Sequence, residues 1–177
     1  HNLFRDSDAT YGKCWGLETF LDHWSKRMIV VGMECGHQGR ERLDEYCPWD
    51  VHGGSLGEIH GMGRETMRWL TTEVKPWVDA HYRTYPFREA TGIAGSSMGG
   101  LMSIYGAAAY NDVFSKAACL SSVIRLCRRQ LLGSIQNIHP DTRVYLSWGT
   151  EETKKVGKFS PTAIANREIA EAFWKQG

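Results

Sequence analysis

Residues 91–107 read "TGIAGSSMGGLMSIYGA", and the fold turns on how this stretch is read. Thr91–Gly95 is a short apolar run of strand length, and Met98–Tyr110 is small and apolar, as a helix packed tightly on a sheet would be. Between them Gly95-Ser96-Ser97-Met98-Gly99 fits G-x-S-x-G. In a chain with 19 glycines the pattern alone says little. Flanked by strand and helix, it is the strand–turn–helix elbow that presents a serine hydroxyl on a strained turn. The alternative, a phosphate-binding glycine turn, needs G-x-G-x-x-G or G-x-x-x-x-G-K-[ST]. Neither pattern occurs, and no lysine follows the turn. Ser97 is therefore expected to be a nucleophile. The helix N-terminus aims free N–H groups at it, so the amide of Met98 is an expected oxyanion donor. Gly95 and Gly99 are expected to be glycines because a Cβ at either place would strike the neighbouring strand or helix.

Working outward, three more apolar runs read as buried strands: Met28–Met33, Lys116–Ser121 and Arg143–Trp148. Apolar on both faces, they suit a parallel sheet covered by helices. In Gly63–Tyr82, Met67, Leu70, Val74 and Val78 recur at helical steps, and Pro76 should kink or restart that helix. Ser160-Pro161 reads as an N-cap with proline at N1. The helix it opens presents Ala165, Ile169, Ala172 and Phe173 on one face. Strands alternating with helices predict a single α/β domain over residues 1–177. Glu34–Arg64 is a long loop, and its "EYCPWDVHGG" at 45–54 suits an ordered wall beside a site.

The bulk numbers exclude several classes. The 177 residues are 42% hydrophobic and 23% charged with a formal net charge of +1, so nucleic acid is not an expected partner. Arg125, Arg128 and Arg129 read as a solvated helix face. No apolar run approaches membrane-spanning length, so no membrane partner is expected. Five cysteines, an odd number with no CxxC spacing, predict neither a disulfide framework nor a zinc ribbon. They read as reduced, mostly buried thiols of a cytoplasmic protein.

Taken together these segments resemble the esterase D / enterochelin-esterase-like branch of the α/β-hydrolases. That branch includes siderophore, feruloyl and short-chain acyl esterases and, more distantly, the antigen 85 mycolyltransferases. "TGIAGSSMGGLMSIYGA" resembles its nucleophile segment. "VVGMECG…R…DEYCPW" resembles its strand and "EY-[ST]-P-W" loop, with Cys47 in place of the usual hydroxyl residue. "EVKPWVDAHYRTYP", "RVYLSWGTEE" and "HNLF" resemble its pre-nucleophile helix, its acid-bearing strand and the end of its first-strand motif. The resemblance implies an α/β-hydrolase fold, a mostly parallel sheet with helices on both faces, incomplete in these 177 residues.

It also implies a Ser…acid…His order along the chain. Glu151 and Glu152 follow a strand end, and the family pattern G-T-x-[DE] puts the triad acid at Glu152. Asp112 and Asp141 are weaker choices, the first at the end of the elbow helix, the second before a strand. The base should lie downstream of the acid, yet all seven histidines precede Glu152. In the family it sits in a "G-G-x-H" loop that would begin past Gly177, so the chain reads as truncated at both ends. The competing explanation is a relative whose base has moved or been lost. The second oxyanion donor falls on the amide of His1 or Asn2. Trp49, Tyr46 and His52 are the expected substrate-facing residues, within an aromatic set that includes Trp15 and Trp69. The implied reaction is carboxylic-ester hydrolysis of a small molecule through an acyl-enzyme, with no metal or organic cofactor. Acyl transfer through the same intermediate and a non-catalytic binding module are the alternatives.

Overall fold

The computed structural model describes residues 2–10, 12–53, 56–149 and 160–176. It divides into two compact units, His1–Arg42 and Leu43–Gly177. The first unit carries helix α1 (Leu17–His23), and helix α2 covers Glu41–Glu45. Within the first unit Arg5 forms a bidentate pair with Glu18, both contacts at 2.6 Å. The Asp6 carboxylate accepts the Cys14 amide at 2.7 Å, which holds its pKa below the usual carboxylate value. Met28–Met33, expected as a buried strand, is not one. The run pairs with no strand among the described residues, and Met28, Ile29 and Val31 are about half exposed. Apolar composition favours an extended chain, but a strand also needs a neighbour's donors and acceptors.

The second unit is built on three parallel strands in spatial order β1-β2-β3: Gly92–Ser96, Lys116–Leu120 and Arg143–Ser147. All three differ from their predicted bounds by at most one residue. Parallel neighbours need crossovers, supplied by α5 (Met98–Ala109) and α6 (Arg128–Ser134). The register aligns Ile93, Ala117 and Val144 in one row and Gly95, Cys119 and Leu146 in another. Ala117 and Cys119 of these rows belong to the core, and Ile93, Val144 and Leu146 pack against it. The intervening row holds Ala94, Ala118 and Tyr145, and of these Ala94 and Tyr145 are exposed.

α5 is the central helix. Its Leu101 and Ile104 are fully buried, each worth about 1.5–3 kcal/mol relative to exposure. A Cβ on Gly106 would stand 3.1 Å from Met67 and 3.2 Å from Ile93. The missing side chain there lets α5 lie close to both the sheet and helix α3 (Gly63–Trp69).

The helical stretch predicted around Pro76 is continuous but changes winding. α3 passes into a π turn, Leu70–Val74, and then into α4 (Lys75–His81). Proline lacks the N–H for an i−4 bond and its ring crowds the preceding carbonyl. A wider turn just before it absorbs both problems. At the last helix, α7 (Pro161–Trp174), the Ser160 hydroxyl accepts the Ala163 amide, as the cap signature predicts. Ala165 and Ile169 are buried and Ala172 and Phe173 pack on the core.

Candidate active site

Ser97 occupies φ 57°, ψ −117° between β1 and α5. A non-glycine residue there carries about 1–3 kcal/mol of backbone strain. Three backbone hydrogen bonds hold it. The Ser97 N–H donates to the Leu120 carbonyl at 2.9 Å, and the Ser97 carbonyl accepts from Leu101 at 3.1 Å and Val123 at 3.4 Å. The elbow is thus tied to the neighbouring strand, to the first turn of α5, and to the segment leaving β2.

Gly95 is a steric necessity, since its Cβ would lie 2.4 Å from the Gly99 carbonyl carbon and oxygen. Gly99 is not: a Cβ there meets nothing within 4 Å, which corrects the expectation that both glycines avoid a clash. The strand backbone needs room only on the side facing α5, and Gly99 contributes its backbone to that contact. Gly100 is the second close approach, with its Cβ position 2.2 Å from the Ser122 hydroxyl. Doubling of the glycine in "MGGL" was the available signal.

Met98 is buried at the first position of α5, where an amide has no intrahelical acceptor. Asn2 lies in the first unit. Its side-chain oxygen accepts the Thr10 amide at 2.8 Å and its carbonyl accepts the Trp15 amide at 2.9 Å. His1, Glu151 and Glu152 lie outside the described residues. β3 ends at Ser147, in the same register row as Ser96, so the chain leaves β3 on the sheet edge that carries Ser97. Asp141 stands before β3, where Arg88 donates to it at 2.7 and 2.9 Å. Asp112 follows the C-terminal end of α5.

None of the described histidines hydrogen-bonds to Ser97. His23 and His81 bond backbone carbonyls one turn earlier in their helices. His37 pairs with Glu34. His60 and His139 donate their backbone amides to Asp44 and Asn111. His52 is exposed and pairs with Glu58 at 2.7 Å, which raises its pKa above the ordinary imidazole value.

An antiparallel bridge joins Val51 and Ile59. The Asp44 carboxylate accepts the His60 amide, the Asp50 carboxylate accepts the Gly61 amide, and Gly63 donates to the Cys47 carbonyl. Tyr46 and Trp49 are half-buried against the core. Trp49 meets Tyr105 of α5 edge-on at 5.2 Å between centroids, with the Arg64 guanidinium 5.8 Å from its ring centre. Burial, foremost, pushes the Tyr105 phenol upward in pKa. Among the described residues no group of three or more His, Cys, Asp or Glu side chains could hold a metal ion, and no helix is long and apolar enough to cross a membrane.

The uncharacterized protein YbbA of Bacillus subtilis (strain 168) is 27% identical over 131 residues, 72% of this chain and 51% of its own length. Among solved structures, the BES protein from Bacillus cereus is similar with a TM-score of 0.60 at 17% identity, covering 76% of this chain and 50% of that one. The siderophore hydrolase EstA from Aspergillus nidulans is similar with a TM-score of 0.54, also at 17% identity, over 77% and 54%. The chain spans about half the length of these proteins, and the two structural likenesses are likenesses of fold. A family model described as "Putative esterase" matches residues 13–176, and the chain belongs to that family of esterases.

Proposed function

We propose that the protein is a serine carboxylic-ester hydrolase. The observation that carries this reading is the backbone of Ser97, held at positive φ between β1 and α5. A serine stands at that turn although glycine adopts such a backbone at least cost. In the proposed reaction the Ser97 hydroxyl attacks the acyl carbon and its proton passes to a histidine. The histidine returns that proton to the leaving alcohol, and water then hydrolyses the acyl-enzyme. The Met98 amide, with that of His1 or Asn2, receives the oxyanion. Glu152 orients the histidine and stabilises its charged form. That histidine lies downstream of Glu152 by the Ser, acid, His order, and residues 153–177 contain none. Trp49 and Tyr46 line the substrate side, with His52 at its exposed rim. The substrate is a small-molecule ester.

The test is fluorophosphonate labelling and p-nitrophenyl ester turnover by a chain extended through the downstream histidine, beside Ser97→Ala. Labelling and turnover that both vanish in Ser97→Ala are expected. A folded extended chain that neither labels nor turns over ester would leave the binding-module alternative. Transfer of the acyl group to an added alcohol in preference to water would mark an acyltransferase.

A further inference from the structure

The wall segment and the segment leaving β2 meet at two thiols. Cys47 Sγ lies 3.5 Å from Cys127 Sγ, 80 positions away in sequence. Both residues are fully buried. Each backbone is fixed: the Cys47 amide donates to Asp44 and its carbonyl accepts from Gly63, while the Cys127 amide donates to Ile124 and its carbonyl accepts from Leu131. The Cys47 thiol donates to the Trp49 carbonyl at 3.2 Å, so the hydrogen between the two sulfurs is that of Cys127.

We propose that Cys47 and Cys127 are an oxidation site, converted by a hydroperoxide to a disulfide that ties the Cys47–Trp49 turn to the start of α6. This goes beyond ester hydrolysis and stands without it. Bond formation requires the sulfurs to close from 3.5 Å to about 2.05 Å, a side-chain adjustment. The Cys47 thiolate attacks one peroxide oxygen, the O–O bond breaks, and Cys47 becomes a sulfenic acid as hydroxide departs. The Cys127 sulfur then attacks the Cys47 sulfur, the S–O bond breaks, and the departing hydroxide takes the Cys127 proton. Two thiols and one hydroperoxide molecule give one disulfide and, for hydrogen peroxide, two waters.

The electrostatics assign the order. The hydrogen bond from Cys127 favours the Cys47 thiolate, against burial and the Asp44 and Asp50 carboxylates, and it drives the Cys127 thiol the other way. Cys119 is the internal control: equally buried but with no sulfur partner among the described residues, its thiol is pushed up to about 12 by burial alone. Because both reacting thiols are enclosed, oxidation follows local opening of the wall and is slow. The cross-link would join the wall to the segment whose Val123 amide holds the Ser97 carbonyl.

The test is a peptide map of the chain after hydrogen peroxide, denaturation and alkylation. The expected product is a cross-linked peptide pair containing Cys47 and Cys127, two hydrogens lighter than its thiol peptides and restored by dithiothreitol, with Cys119 alkylated. In Cys127→Ser the cross-link is lost and dimedone traps a sulfenic acid on Cys47. If that variant fails to fold, the wild-type map decides alone. Cys47 and Cys127 both recovered as thiols, a disulfide confined to other cysteines, or Cys47 over-oxidised beside an intact Cys127 thiol would overturn the proposal.

Discussion

The Ser97 amide donates to the Leu120 carbonyl at 2.9 Å, one residue beyond the β1–β2 ladder. The sheet therefore continues its hydrogen bonding through the residue whose φ has already turned positive. Strand β2 repeats the step: Ser121, at φ 45°, donates to the Ser147 carbonyl at 2.7 Å. Two successive strands end in strained serines, each pinned by the next strand. Strain at Ser97 is thus held by the fold. Glycine should relieve it. Ser97→Gly is expected to raise stability by about 1 kcal/mol and Ser97→Ala to leave it near wild type, both without ester turnover. Urea melts of the two variants check this. A Ser97→Gly protein less stable than Ser97→Ala would mean the turn stores no strain.

Gly95 and Gly99 look equivalent in the motif and are not equivalent in space. Alanine at 95 would put its Cβ 2.4 Å from the Gly99 carbonyl group, a backbone clash that must push β1 and α5 apart. Gly95→Ala is expected to lose about 1–3 kcal/mol. Gly99→Ala meets open space inside a helix and is expected to gain about 0.5–1 kcal/mol from propensity. Thermal melts of both variants read the contrast directly, and equal losses would sink it.

What could be read in the sequence followed from how local the cause was. The elbow, the Ser160 cap and the change of winding before Pro76 each rest on a few adjacent residues whose backbone preferences are strong. The three strands β1 to β3 were legible because helices of suitable length separate them. Met28–Met33 was misread because its apolar run says nothing about whether another strand lies alongside. Gly99 was misread because the motif does not say which glycine faces the helix. The contact of Cys47 with Cys127 had no local signature at all, since it depends on the wall folding back onto the start of α6.

Arg88 and Asn111 close the sheet edge opposite Ser97. The Arg88 side chain is only 9% exposed. It donates to the Asn111 carbonyl at 2.7 Å and to Thr142 at 3.2 Å as well as to Asp141. Asn111 donates to Ala107 and Thr142 and accepts the His139 amide. Removing either side chain strands buried polar groups, so Arg88→Ala and Asn111→Ala should each cost about 2–3 kcal/mol. Because they share partners, the double variant should cost less than the sum by about 1 kcal/mol. A double-mutant cycle by urea denaturation measures the coupling, and strict additivity would show that the two side chains act independently.

Asp141 carries a pH signature of the same network. Hydrogen bonds from Arg88, foremost, and its positive charge hold the carboxyl below the usual aspartate range. The folded pKa is therefore lower than the unfolded value of about 3.9. The contribution is fully present above the unfolded value and is lost as pH falls through the folded value. Asp141→Asn cannot take up that proton. Wild type should lose stability on acidification below about pH 4 more steeply than Asp141→Asn, with the two curves running parallel above it. Urea midpoints from pH 7 to the acid limb test this. Parallel curves throughout would mean that the carboxyl titrates alike folded and unfolded, and that Arg88 does not favour its charged form.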